Sequence, residues 1–223
     1  MNGLRPVLDN LVLCLDFMNP KTTVGIGVIC SDLSGNKNDV TLFNGATYSN
    51  SKEIVFDGVN DYIACGNIIA GRTQFSAEVW VKTIDTRTGS NGTYYNPSMF
   101  GAQHGAGVSG DFAMCVKNGN LGFYHELNGS SGYVDTNIYI SDGTWKHIVI
   151  TKSTAGVIMI YLNGVVIYNG SGYTTTMRSI NLVNYDWELG RAYWNDVNML
   201  CFNGSIGIHR LYSSVLSLDD VSF

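Results

Sequence analysis

The chain has 223 residues, 45% of them apolar and 12% aromatic, with a net charge of −5. That apolar content excludes a disordered chain, and Lys and Arg that never cluster beyond pairs exclude a basic nucleic-acid-binding stripe. No run nears the roughly 18 apolar residues of a membrane span, and the apolar stretch 11–17 lacks the length and cleavage site of a signal peptide.

Residues 1–10 read as an N-terminal arm and 11–223 as one domain. The first strand falls at 11–17, where Leu11, Leu13, Leu15 and Phe17 share a face. Extended runs follow at 53–56 and 61–65. At 75–82, Phe75, Ala77, Val79 and Val81 alternate with Ser76, Glu78, Trp80 and Lys82. A turn-rich insert at 84–96 precedes strands at 98–103, 111–117 and 121–126, with a Gly-rich loop at 104–110 between the first two. The runs 145–152 and 157–162 contain Ile148-Val149-Ile150 and Val157-Ile158-Met159-Ile160, apolar on both faces, which implies two stacked sheets. Asn163-Gly164 joins 157–162 to 165–168 as a tight hairpin, because both central residues of a type I′ turn need positive φ. Asn118-Gly119 and Asn169-Gly170 mark similar turns. Further strands are expected at 180–183 and 205–212, then one helical turn with Ser217 as N-cap and Asp219 and Asp220 in its first turn. Cys14, Cys30, Cys65, Cys115 and Cys201 form no C-x-x-C pair, so a reduced chain folded in cytoplasm is expected.

Several phrases occur in an order that carries a resemblance. They are Asp32-Leu33-Ser34-Gly35-Asn36, Leu42-Phe43-Asn44-Gly45-Ala46 and Ile54-Val55-Phe56-Asp57-Gly58-Val59-Asn60-Asp61-Tyr62-Ile63. Phe75-Ser76-Ala77-Glu78-Val79-Trp80-Val81, Gly143-Thr144-Trp145-Lys146-His147 and Ile160-Tyr161-Leu162-Asn163-Gly164 follow. Leu189-Gly190-Arg191, Phe202-Asn203-Gly204-Ser205-Ile206-Gly207 and Leu216-Ser217-Leu218-Asp219-Asp220-Val221 close the series. Together they resemble laminin-G-like members of the concanavalin-A-like lectin and glucanase superfamily, over about residues 11–221. The resemblance implies an all-β, two-sheet antiparallel jelly-roll sandwich with paired first and last strands. The opening, Asn10-Leu11-Val12-Leu13-Cys14-Leu15-Asp16-Phe17 through Asn19-Pro20-Lys21, is similar to stand-alone proteins of this type among tailed-phage structural proteins.

Glucanases of that superfamily imply a glycosidase reading, which needs two carboxylates on one strand flanking the scissile bond. Asp186-Trp187-Glu188 is the nearest match, and a solvated strand entry accounts for it better. His104, His125, His147 and His209 show no metal spacing, and His147 reads as a packed, hydrogen-bonded side chain. Asp32, Ser34 and Asn36 alternate as calcium ligands do, but Phe43 stands where a bidentate Glu would. Asp57, Asn60 and Asp61 form a second oxygen-rich turn. Calcium is the one cofactor implied, and plain turn chemistry competes with it at both places.

Sugar recognition needs aromatic faces beside fixed hydrogen-bonding groups. Tyr94-Tyr95-Asn96 and Tyr193-Trp194-Asn195-Asp196 supply this mixture, with His104, His125 and Tyr124 lining the same concavity if the strand order follows the family. The competing reading packs these aromatics under loops or against a subunit. The expected function is a noncatalytic virion surface module, a capsid decoration or a fibre- or baseplate-associated subunit, with weak contact to host glycans. It is assembled in the host cytoplasm, and its partners are other virion proteins or itself, neither nucleic acid nor membrane. A carbohydrate-binding adhesion lectin is the alternative, and a glycoside hydrolase stands third.

Overall fold

The computed structural model describes residues 7–22, 28–49, 52–90, 95–103, 110–127, 130–177, 187–192 and 200–221. The strands begin with β1 (Leu11–Asp16), β2 (Ile29–Cys30), β3 (Val40–Phe43), β4 (Thr47–Tyr48), β5 (Ile54–Asp57) and β6 (Tyr62–Ala64). Next come β7 (Phe75–Thr83), β8 (Ser98–Ala102), β9 (Phe112–Lys117), β10 (Asn120–His125) and β11 (Gly132–Tyr139). The last are β12 (Lys146–Lys152), β13 (Ile158–Leu162), β14 (Val165–Gly170), β15 (Glu188–Leu189) and β16 (Asn203–Tyr212), followed by helix α1 (Leu218–Val221).

Two antiparallel sheets result. Sheet I runs β14-β13-β12-β7-β16-β5-β4, with β1 also paired to β16. Sheet II runs β11-β10-β9-β8-β15-β6-β3-β2. Alternation decides what lies between them. Phe75, Ala77, Val79 and Val81 of β7, Ile148 and Ile150 of β12, and Phe112, Met114, Leu121 and Phe123 of β9 and β10 form one buried core. Trp187 packs there against Phe75, Phe100 and Phe112, at ring separations of 6.0, 5.4 and 6.5 Å. Burying each such side chain contributes roughly 1.5–3 kcal/mol.

The hairpin β13–β14 turns at Asn163 (φ 51°) and Gly164 (φ 80°), the conformation expected for that pair. The helical turn is also where expected. Ser217 Oγ accepts the Asp220 N–H, and the Asp220 carboxylate accepts the Ser217 N–H at 2.8 Å. The five cysteines are free and buried. Four strands were not anticipated: β2, β3, β4 and β11; β15 begins at the expected strand entry, but Trp187 and Glu188 are buried there, not solvated. The strand expected at 180–183 lies outside the described residues.

Part of the outer face of sheet I is covered too. Leu11, Cys14, Val149, Tyr161, Tyr212, Leu216 and Val221 form a second apolar cluster beneath α1. Glu78 of β7 is buried at its border. Its carboxylate accepts hydrogen bonds from Arg210 Nη1 (2.8 Å), His147 Nε2 (3.1 Å) and Tyr212 Oη (3.3 Å). Burial alone would raise the Glu78 pKa, but the His147 bond and the Arg210 charge outweigh it and hold the carboxyl below its usual range. His147 is therefore packed and hydrogen-bonded, as its strand position suggested.

Candidate functional site

The outer face of sheet II follows from register. Phe112, Met114, Leu121 and Phe123 point inward, so Ala113, Cys115, Gly122 and Tyr124 point outward. Cross-strand partners then trace one row across seven strands: Thr41, Ala64, Glu188, Gly101, Ala113, Tyr124 and Tyr133. Its middle is built of small residues, and Ala192 packs down on Ala113, Cys115 and Tyr124.

Toward the β2 edge this face carries an aromatic stack. Phe43 and Tyr62 are register partners on β3 and β6, and their rings lie 4.6 Å apart and 5° from parallel. The Arg191 guanidinium sits 3.3 Å from the Tyr62 ring centroid. Two groups that close cannot share one ring face, so Tyr62 is sandwiched between Phe43 and Arg191. Glu188 fixes the guanidinium from Oε2 to Nε at 2.8 Å and from Oε1 to Nη2 at 3.0 Å. Gly190, at φ 85°, makes the turn that returns Arg191 to this face, and a side chain there would collide with Phe56. Phe43 keeps 37% of its surface exposed. An open aromatic face beside a rigid carboxylate–guanidinium pair can stack a flat apolar surface and bond hydroxyl groups at its rim.

The opposite end of the face is acidic and buried. Glu126 N–H donates to the Asp111 carbonyl at 2.8 Å, which sets the two residues across from each other just beyond the paired ends of β9 and β10. Glu126 accepts hydrogen bonds from Tyr124 Oη at 2.5 Å and from Ser131 Oγ. Burial first, then the Glu126 carboxylate, push the Tyr124 phenol pKa far up. Gln103, one residue beyond β8, is also buried, and neither its Oε1 nor its Nε2 has a hydrogen-bond partner. Two strand intervals of about 4.8 Å separate β15 from the β9 line and three separate it from the β10 line, so Glu188 stands roughly 10 Å across the sheet from the line of Asp111 and roughly 14 Å from that of Glu126. Glycosidase carboxyl pairs stand about 5–9.5 Å apart.

Of the residues expected to meet sugar, Tyr94, His104, Tyr193, Trp194, Asn195 and Asp196 lie outside the described residues, as does Asp186. Tyr95 is half-buried, and Asn96 is fully buried with its Oδ1 accepting the Gly89 N–H at 3.1 Å. Asn96 thus ties Gly89 to the start of β8. His125 does not share a face with Tyr124, because neighbours on a strand point oppositely. It lies against Phe123 (5.6 Å) and Tyr173 (4.9 Å), and burial lowers its pKa. Phe43 and Tyr62 were not among the expected residues, although inward Leu42 and Ile63 mark both aromatics as outward-facing.

The oxygen-rich turns have visible structural roles. Asp32 Oδ1 accepts the Cys14 and Ser34 N–H groups at 2.9 and 2.8 Å, and Oδ2 accepts Ser34 Oγ and the Asn38 N–H at 2.6 and 3.1 Å. Asn36 Nδ2 donates to the Leu11 carbonyl at 2.8 Å, so Asp32, Ser34 and Asn36 pin this loop to β1. Asp61 differs. Its Oδ2 accepts the Asp57 N–H at 2.9 Å, while its buried Oδ1 has no hydrogen-bond partner. Burial raises the Asp61 pKa and the nearby Asp57 charge adds to the rise. Asp61→Asn keeps one acceptor and removes the buried charge. It is expected to stabilise the protein by about 1 kcal/mol at pH 7, read as a higher Tm. A fall in Tm together with loss of a calcium-dependent Tm shift would instead make Asp61 a cation ligand.

Residues 57–222 match the family described as the concanavalin A-like lectin/glucanases superfamily, of laminin G type. The chain belongs to that family. Among curated proteins, none matches it in sequence. Three solved structures share the fold. Domain 4 of AbnA, a GH43 extracellular arabinanase from Geobacillus stearothermophilus, in complex with arabinotriose, is 21% identical with a TM-score of 0.69. That match covers 96% of this chain and 97% of that one. The binding domain of Paraclostridial mosquitocidal protein 1 is 19% identical, TM-score 0.64, over 96% and 51% of the two chains. The binding domain of botulinum neurotoxin DC in complex with SialylT is 16% identical, TM-score 0.63, over 96% and 50%. The chain thus spans about half the length of the toxin domains.

Proposed function

We propose that the protein is a noncatalytic glycan-binding module that engages saccharide on the outer face of sheet II. The observation that carries this reading is the exposed Phe43–Tyr62 stack, backed by Arg191 and Glu188 in fixed geometry. Pyranose and furanose C–H surfaces pack on such rings, and their hydroxyls pair with such polar groups. The arabinotriose held by the AbnA domain supports a saccharide for this fold. The tying of both Glu188 oxygens to Arg191, and the burial of Asp111 and Glu126, support binding without hydrolysis.

Phe43→Ala tests the reading, because Phe43 is the exposed plate of the stack. Its affinity for a glycan found on an array is expected to fall about tenfold, or 1.4 kcal/mol, by titration calorimetry. Undiminished binding would remove the stack from the site. Release of reducing ends from that glycan, lost in Glu126→Gln, would make the protein a hydrolase. The setting of the module, as a virion surface subunit assembled with other virion proteins or itself, is a further part of the proposal that rests on the sequence resemblance. Mass spectrometry of intact particles tests it, and absence of the chain from them ends that part.

A further inference from the structure

We infer that this site selects uncharged saccharides and discriminates against anionic ones, an inference that rests on the glycan-binding reading above. The charge that would hold an anion is already paired. An anionic sugar gains most from a free guanidinium or ammonium placed for a carboxylate. The cation beside the aromatic stack is Arg191, and both of its bonded nitrogens are held by Glu188 at 2.8 and 3.0 Å. One face of its guanidinium is also taken by the Tyr62 ring. A sialic or uronic carboxylate would meet a guanidinium whose charge the buried Glu188 already offsets, and would sit against that like charge.

The rest of the face reinforces the bias. Among the described residues on it, carboxyl groups belong to Asp111, Glu126, Asp135 and Glu188, whereas the cations are Lys117 and Arg191. Lys117 lies 4.9 Å over the Tyr133 ring, at the far side from Phe43. The whole chain carries −5, so long-range steering also disfavours anions. Neutral hydroxyls, in contrast, lose nothing here. They can accept from the partly exposed Arg191 without breaking the pair.

Paired probes separate the possibilities: arabinotriose against trigalacturonic acid, and lactose against 3′-sialyllactose, each titrated by calorimetry. At low ionic strength the anionic member of a pair is expected to bind at least tenfold more weakly than its neutral partner. The gap should shrink as salt is raised, because screening acts on charge alone. In Glu188→Gln the amide can still hold Arg191 in place while its charge goes uncompensated, and the ratio of anionic to neutral affinity is expected to rise about tenfold. Should the substitution unfold the chain, the salt series on the unaltered protein still decides. Anionic probes that bind as well as neutral ones would overturn the selectivity while leaving the glycan reading intact. A gap indifferent to both salt and Glu188→Gln would overturn it as well. If no glycan on the array and neither pair binds, the glycan reading falls and this inference with it.

Discussion

Glu78→Gln is expected to cost about 3–5 kcal/mol of stability, because it strands a buried cation. The Arg210 guanidinium and the His147 ring both converge on this carboxylate, and Arg210 Nε has no hydrogen-bond partner to fall back on. The loss should lower Tm by about 10 °C in a domain of this size. A sharper test adds the partner change: Glu78→Leu with Arg210→Met replaces charge by apolar volume beside Cys14, Val149 and Tyr212. That double variant is expected to recover most of the deficit, since well-packed apolar groups often substitute for a buried ion pair. If single and double variants are equally destabilised, packing and not charge explains the site.

Acid should unfold the protein through His209. Trp187 Nε1 donates to His209 Nε2 at 2.9 Å, and indole has no acceptor nitrogen, so the imidazole is neutral with its proton on Nδ1. The ring lies between the sheets, 5.3 Å from Phe100, and burial pushes its pKa down from 6.5 to about 3. A depressed value means the unfolded chain takes up the proton first. Stability from this group is intact above pH 6.5 and is lost as pH falls toward 3. At 1.36 kcal/mol per unit, the loss reaches about 3 kcal/mol near pH 4.5 and about 5 kcal/mol below pH 3. His209→Gln keeps an acceptor for Trp187 but does not titrate. The stability difference between the two proteins, from urea unfolding at each pH, should therefore change steadily between pH 6.5 and 4. A constant difference across that range would refute the assignment.

Where the sequence carried a strong local signal, the fold was legible in it. β7 and β12 alternate cleanly, and Asn163-Gly164 fixed a hairpin, so each needed only its own residues. β2, β4 and β15 have two residues each, too few for any period to show. They are strands because neighbours hold them. β11 was hidden for another reason: its pairing shifts between Leu121 and Gly122, and Asn137 adopts φ 57°, so the alternation breaks midway. The same distinction applies to the candidate site. Phe43 and Tyr62 lie nineteen positions apart and meet through pairing of two short strands. Loop aromatics such as Tyr94-Tyr95 stand out in the sequence because they are adjacent letters. Grouping His125 with Tyr124 failed on the simplest rule of a strand, that consecutive side chains face opposite ways.

The pairing of β1 with β16 has a consequence for how the chain reaches this state. Leu11 sits opposite Tyr212, and β16 also bridges β7 to β5. During synthesis, β1 and one flank of β7 must wait for nearly the whole chain to emerge before their partner exists. Contacts so distant along the polymer place closure among slow events, milliseconds to seconds, not microseconds. Until then both strands offer unpaired backbone edges to any neighbour, so the ribosome-bound stage is when this molecule is most open to aggregation.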